Sequence, residues 1–321
     1  MKNWRTGGLL IAALLLTMAA GAVAQTEEST DELSDLLQDV GEDYARGYLS
    51  PLISGFGINQ NSGLYHTARI PYDGLKISFA IKGMSSNLSD ADKRFRTVST
   101  VDLSDYVDPG DPGYGEEGQL VFEGPTVFGA EGETGTMTAY WHGIPVFQEN
   151  AIESLVDFDY IPMITPEASV GGFFGLRGTI RWMPDYDAPD VGTIKYKGLG
   201  LSWTPNILMP TLPVDVAIGM FKQSLDIGEL LESTASSVYL AVSKEFSVLT
   251  VYGGVAKESS SMKVHYTFDD NGDDVPIDFE LAGVQEKRTT LGATLSLGLK
   301  LNIEVNKGNM TNYTGGLIFG F

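Results

Sequence analysis

The sequence predicts an all-β fold: a transmembrane antiparallel β-barrel of roughly 10–14 strands, best counted as ten or twelve, behind an N-terminal amphipathic helical segment. Three observations carry that expectation. Alternating runs recur, the clearest setting Leu291, Ala293, Leu295, Leu297 and Leu299 against Thr290, Gly292, Thr294, Ser296 and Gly298. A period of two belongs to a strand with unlike faces. Many runs approach ten residues, about what a tilted strand needs to cross a bilayer core. Past the amino terminus the chain is cut every few residues by Gly, Pro or charge, with 38 glycines and 14 prolines in all. A membrane could therefore be crossed there only by a closed barrel.

At the amino terminus, Lys2 and Arg5 precede an apolar run from Leu9 to Ala20, followed by Ala22-Val23-Ala24. This is the pattern of a secretory signal peptide over residues 1–24, with the mature chain starting at Gln25. The run is too short for a spanning helix. The remaining layout is an N-terminal helical segment over residues 25–70 and a barrel over residues 71–321.

Composition excludes several function classes. The chain carries 42 acidic and 21 basic residues for a net charge of −21, which repels nucleic acid and anionic lipid. It has no cysteine, hence no disulfide framework, thiolate nucleophile or thiolate metal site.

In the N-terminal segment, Leu33, Leu36, Leu37, Val40 and Tyr44 recur at helical spacing up to Gly47, with Thr30 or Asp31 as N-cap. A second short helix is expected from Ser50-Pro51, with Pro51 at its first position and Leu52, Ile53 and Phe56 on its buried side. Gly55, Gly57, Asn59, Asn61 and Gly63 break the pattern. The apolar surface of this segment suits a plug or lid of the barrel, against the alternative of a partly ordered periplasmic extension.

Strands follow. Leu75, Ile77, Phe79 and Ile81 oppose Lys76, Ser78, Ala80 and Lys82. The stretch from Ser85 to Gly118 reads as a long polar loop, and Leu120 to Phe128 with Thr136 to Trp141 as either an extra hairpin or part of an inner plug. Pro162 to Pro184 reads as a hairpin. Gly192 to Trp203 changes apolar parity across Lys197-Gly198, as a β-bulge would require. Pro213 to Gln223 and Ser236 to Lys244 alternate again. Val248 to Phe268 and Ile277 to Gly298 flank an acidic turn and are about twice the length a bilayer needs, so their hairpin should project into solvent. Leu301, Ile303 and Val305 lead to the last strand, Asn312 to Phe321.

That last strand places Tyr313, Gly315, Leu317, Phe319 and Phe321 on one face. It resembles the closing strand of outer-membrane β-barrel proteins of Gram-negative-type bacteria. The resemblance implies an outer-membrane location, contact with outer-membrane lipid, and recognition of Tyr313, Leu317, Phe319 and Phe321 by the barrel-assembly machinery. The layout is also similar to hydrophobic-substrate transporter barrels with an N-terminal plug, and to barrel families of unknown function.

Candidate chemistry is sparse. Lys76, Lys82, Arg181, Lys195 and Lys197 sit opposite apolar parity and are expected in the lumen, where basic side chains could select anions or simply pair with carboxylates such as Asp215. His66, His142 and His265 lie in no nucleophile motif, so no enzyme and no cofactor are expected. Asp269, Asn271, Asp273 and Glu280 match positions 1, 3, 5 and 12 of a calcium loop, but Asp274 stands where the turn glycine belongs and Pro276 follows. The expected function is passive transport or uptake of a small solute, apolar ones included, gated by the N-terminal segment. The alternative is a non-conducting structural or adhesion barrel with acidic extracellular hairpins.

Overall fold

In the computed structural model, residues 42–320 are described except 131, 155, 189–191, 229–230 and 271–272. Leu33, Leu36, Leu37 and Val40 of the expected helix, the signal region and Phe321 lie outside the described residues.

Ten strands close into an antiparallel barrel: β1 (Asp73–Asn87), β6 (Tyr160–Phe173), β7 (Leu176–Ala188), β8 (Gly192–Trp203), β9 (Asp215–Ile227), β10 (Leu231–Phe246), β11 (Leu249–Asp270), β13 (Lys287–Leu297), β14 (Leu299–Lys307) and β15 (Thr311–Gly320). Closure comes from β1 pairing with both β6 and β15, and from β10 pairing with β11. The wall therefore has no free edge.

Turns gather at one end, at Phe174-Gly175, Ser247-Val248 and Gly298, with 204–214 as the longer exception. At the other end the connections from β1 to β6 and from β11 to β13 are long, while β7–β8, β9–β10 and β14–β15 are joined over three residues each, 189–191, 228–230 and 308–310. Membrane barrels keep short turns on the periplasmic side and long loops outside, which orients the chain. β11 is 22 residues long, and β12 (Asp273–Ala282) pairs only with its outer part, so this hairpin stands beyond the wall.

The outer surface carries a belt of exposed apolar side chains, among them Leu75, Phe79, Leu199, Met220, Leu240, Leu291, Ile303 and Phe319. Leaving such a belt in water would be costly; hydrocarbon receives it without penalty. Tyr313, Leu317 and Phe319 of the closing strand belong to it, all three facing outward.

Between β1 and β6 the chain builds a second sheet: β2 (Arg94–Asp102), β3 (Glu117–Pro125), β4 (Thr134–Trp141) and β5 (Ile144–Glu153), paired in that order. The region expected as a polar loop thus holds β2 and the start of β3. The apolar pieces of 118–143 form the β3–β4 hairpin of this cap, in neither the barrel wall nor the lumen.

One helix, α1 (Glu42–Asn61), lies under the cap. It runs through Pro51 without stopping, so the expected second helix does not exist as a separate element. Tyr44 meets Phe122 edge-on at 4.7 Å and stacks on Tyr48 at 5.9 Å, and the Tyr48 hydroxyl donates to the Glu153 carbonyl at 2.9 Å. Burial raises the Tyr48 pKa, so the phenol remains a donor. The glycines read as breakers permit close approach: a Cβ at Gly57 would lie 2.1 Å from Ser260 Oγ. Past them, Asn59 Nδ2 donates to the Ile161 carbonyl at 2.7 Å and extends the helix into the barrel mouth. Tertiary contacts outweigh the local cost of Pro and Gly here.

Candidate functional site

Beyond Asn61 the chain turns down through the barrel and reaches the start of β1 at the periplasmic end. The described part of the N-terminal segment, from Glu42, therefore enters from the outer mouth and threads the lumen; it does not lie on the periplasmic mouth. Tyr44 and Phe56 are buried at 2% and 6% exposure in the core shared by α1, the cap and the outer half of the wall.

The threading segment is held by side chains of the wall, because an irregular backbone at membrane depth needs its polar groups satisfied from outside itself. The tightest grip is on Gly63. Its N–H donates to Glu304 Oε1 at 2.8 Å, and its carbonyl accepts from an Arg181 guanidinium nitrogen at 2.5 Å and from Lys82 Nζ. Gly63 adopts φ +64°, a conformation in which a side chain would be strained. Arg181 also donates to the carbonyls of Gln60 at 3.2 Å and Ser62 at 3.0 Å.

Glu167 balances both cations, 3.2 Å from Lys82 Nζ and 2.9 Å from Arg181 Nε. The Tyr252 hydroxyl donates to Glu304 Oε2 at 2.9 Å. Lower down, Ala68 N–H donates to Ser243 Oγ at 3.0 Å, Thr294 Oγ1 to the His66 carbonyl at 2.7 Å, and Arg177 to the Arg69 carbonyl at 2.8 Å. The lumen is closed at the level of Gly63. Below it, a cavity of about 660 Å³ opens to the periplasmic end, lined by His66, Arg69, Lys76, Arg177, Lys300 and neighbouring residues.

The five basic residues expected in the lumen separate. Lys82 and Arg181 form the clamp, and Lys76 lines the lower cavity. Lys195 and Lys197 are exposed on the outer surface, and Ile194 and Tyr196 point inward in their place. The bulge expected at Lys197-Gly198 is absent: β8 pairs with β9 in unbroken register, and the shift lies on β7 between Met183 and Tyr186. The apolar parity changes because the surroundings change; above the belt, the barrel interior packs against α1.

The acidic hairpin does not fold as a calcium loop. Asp269 faces Asp274 and Glu280 faces Lys263 in an antiparallel ladder. Glu280 is thereby removed from Asp273 by about 23 Å of extended strand. Asn271 lies outside the described residues. His142 occupies the β4–β5 turn at φ +47°, and His265 sits on the projecting part of β11.

Glu167, Glu304, Arg177 and Lys300 were not singled out by sequence reasoning. A signal existed for Glu304, a lone carboxylate at inward parity between Ile303 and Val305. Its partner at Gly63 is 241 residues away, beyond any local pattern.

A closed ten-strand wall with an apolar outer belt and an occupied lumen defines a β-barrel protein of the outer-membrane class. Over residues 1–321 the sequence matches the model of DUF6588, described as a family of unknown function, and the chain belongs to that family. No curated protein matches. Among solved structures, the chain is similar to a loop-deletion mutant of OmpT, an outer membrane protein of Vibrio cholerae, at 10% identity and a TM-score of 0.26 over 77% of this chain and 99% of that one. It is also similar to an anion-selective porin from Comamonas acidovorans (14%, 0.19, 77% and 98%) and to the CymD monoaromatic hydrocarbon channel (8%, 0.22, 89% and 96%).

Proposed function

We propose that the protein is a gated, non-enzymatic barrel for passive transport or uptake of a small solute across the outer membrane, residues 62–72 forming the movable obstruction. In this reading, residues 1–24 are cleaved as a signal and the closing strand is read by the barrel-assembly machinery. The observation that carries it is the way the lumen is closed. The obstruction is a separate segment held by hydrogen bonds, by the Arg69–Glu245 ion pair and by packing of Leu64, Tyr65 and Ile70 in a small cluster with Phe221, Tyr239 and Tyr252, while much of the wall around its lower part presents small and polar groups such as Ser78, Ala217, Ala241, Ser243 and Thr294. Polar contacts can be exchanged for water when a segment moves, so displacement costs chiefly the packing of Leu64, Tyr65 and Ile70, far less than unlocking the larger core around α1. The lower cavity already reaches that segment.

The test uses the absence of cysteine. The Thr67 and Ser243 hydroxyls are 3.2 Å apart, so Thr67→Cys with Ser243→Cys can tether segment to wall. Solute entry into proteoliposomes should fall on oxidation and return on reduction. Planar-bilayer silence of both the full chain and a chain lacking residues 26–70 would end the transport reading. It would leave the non-conducting surface barrel, which the well-packed cap over the outer mouth favours.

A further inference from the structure

The lower cavity has a chemistry that closing the barrel does not require. In a chain of net charge −21, its lining carries four basic side chains, Arg69, Lys76, Arg177 and Lys300, against three carboxylates, Asp73, Asp215 and Glu245. The carboxylates keep to the rim: Asp73 and Asp215 open their strands, and Glu245 is paired with exposed Arg69 at 2.7 Å. The same lining brings the donors of Arg177, Thr250, Thr294 and Lys300 into one cavity with His66.

His66 is 5% exposed, and its main chain is fixed by the Thr294 hydroxyl, yet its Nε2 is buried without a hydrogen-bond partner. A buried polar atom in that state calls for a ligand or water to complete it. The same cavity also has an apolar lining, from Ile70, Pro71, Pro210 and Leu212.

We propose that this cavity binds a small organic monocarboxylate from the periplasmic side, its carboxylate held among His66, Arg177 and Lys300 and its apolar part against Ile70, Pro71 and Leu212. A planar guanidinium matches a carboxylate's two oxygens. The modest excess of basic groups suits one negative charge, and a compact inorganic oxyanion would leave the apolar lining uncovered. The volume lies within the usual range of small-molecule sites. The assignment stands whether or not the barrel conducts, because equilibrium binding reads it without passage.

The experiment is calorimetric titration of the full chain in a zwitterionic detergent with sodium benzoate, inorganic phosphate and sodium chloride at matched ionic strength. Benzoate should saturate one site, and Arg177→Gln or Lys300→Gln should weaken it about tenfold or more. Lys197→Gln on the outer wall should leave it unchanged. Arg177 also holds the Arg69 carbonyl, so the partly buried Lys300 decides the matter if the Arg177 variant fails to fold. Absence of saturable benzoate binding, equal affinity in Lys300→Gln, or binding of phosphate or chloride alone would overturn the proposal.

Discussion

The periplasmic and outer halves of the barrel wall use one alternating pattern with its sign reversed. Along β9, Val216, Ile218 and Met220 look outward while Ala217 and Gly219 look inward; further on, Lys222, Ser224 and Asp226 face out while Phe221, Leu225 and Ile227 face in. β10 repeats the reversal, with Val242, Leu240 and Val238 outward below and Ser236, Thr234 and Glu232 outward above. On β11, Leu249, Val251 and Val255 give way to Lys257, Ser259 and Lys263. Below the changeover, hydrocarbon lies outside and the narrow threading segment inside, against small and polar wall groups and a few aromatic rings; above it, water lies outside and the apolar face of α1 inside. Alternation reports that two faces differ. Which face is buried depends on what lies on either side at that height.

The largest expected effect comes from breaking the lower interior. Glu167→Leu leaves Lys82 and Arg181 buried with no carboxylate between them. Losing one partner of a buried ion pair costs about 3–5 kcal/mol. Denaturant unfolding from phospholipid vesicles should show a loss of that size, and a loss under 1 kcal/mol would mean that water already screens the clamp.

The outer surface gives the next contrast. Ile303→Arg places a charge within the belt, at an expected cost of about 2–4 kcal/mol, whereas Ser259→Arg, above it, should cost about 0–1 kcal/mol. Ile303 is 69% exposed and Ser259 is also exposed, so neither substitution meets a packing clash that would mask the comparison. Equal costs in the vesicle assay would show that the reversal does not mark the membrane edge.

This height dependence explains what the sequence could and could not reveal. β1, β13 and β15 were legible because lipid on one side and small or polar groups on the other give strict alternation over a bilayer's length. The cap was not, since β2 through β5 pair away from the membrane and β2 begins Arg94-Phe95-Arg96-Thr97, too polar to stand out from a loop. For α1, local propensity argues for a stop at Gly47, a new start at Ser50-Pro51 and a second stop from Gly55, and packing beneath the cap overrides all three. The site was half legible: inward parity gave Lys76, Lys82 and Arg181. Glu167 and the Gly63 peptide, which make the latter two a clamp, are brought to them only by closure of the wall.

The smallest effect is the sharpest check on the upper half. Lys195 and Lys197 follow the same sequence rule that placed Lys82 in the lumen, yet they sit where the rule has changed sign. Lys197 faces out beside Trp182 of β7 and Ser224 of β9 in the register. A double Lys195→Gln, Lys197→Gln variant should therefore stay within about 0.5 kcal/mol of the parent in the vesicle assay, as exposed substitutions do, and leave the ion selectivity of any conductance unchanged. Lys82→Gln removes the same charge but also loses the Gly63 carbonyl and Glu167 contacts, so its loss of stability should be several times larger. If the double variant instead altered selectivity, the outer half of β8 would have to face the lumen, and the core of Ile194, Tyr196, Leu225 and Ile227 against α1 could not exist as described.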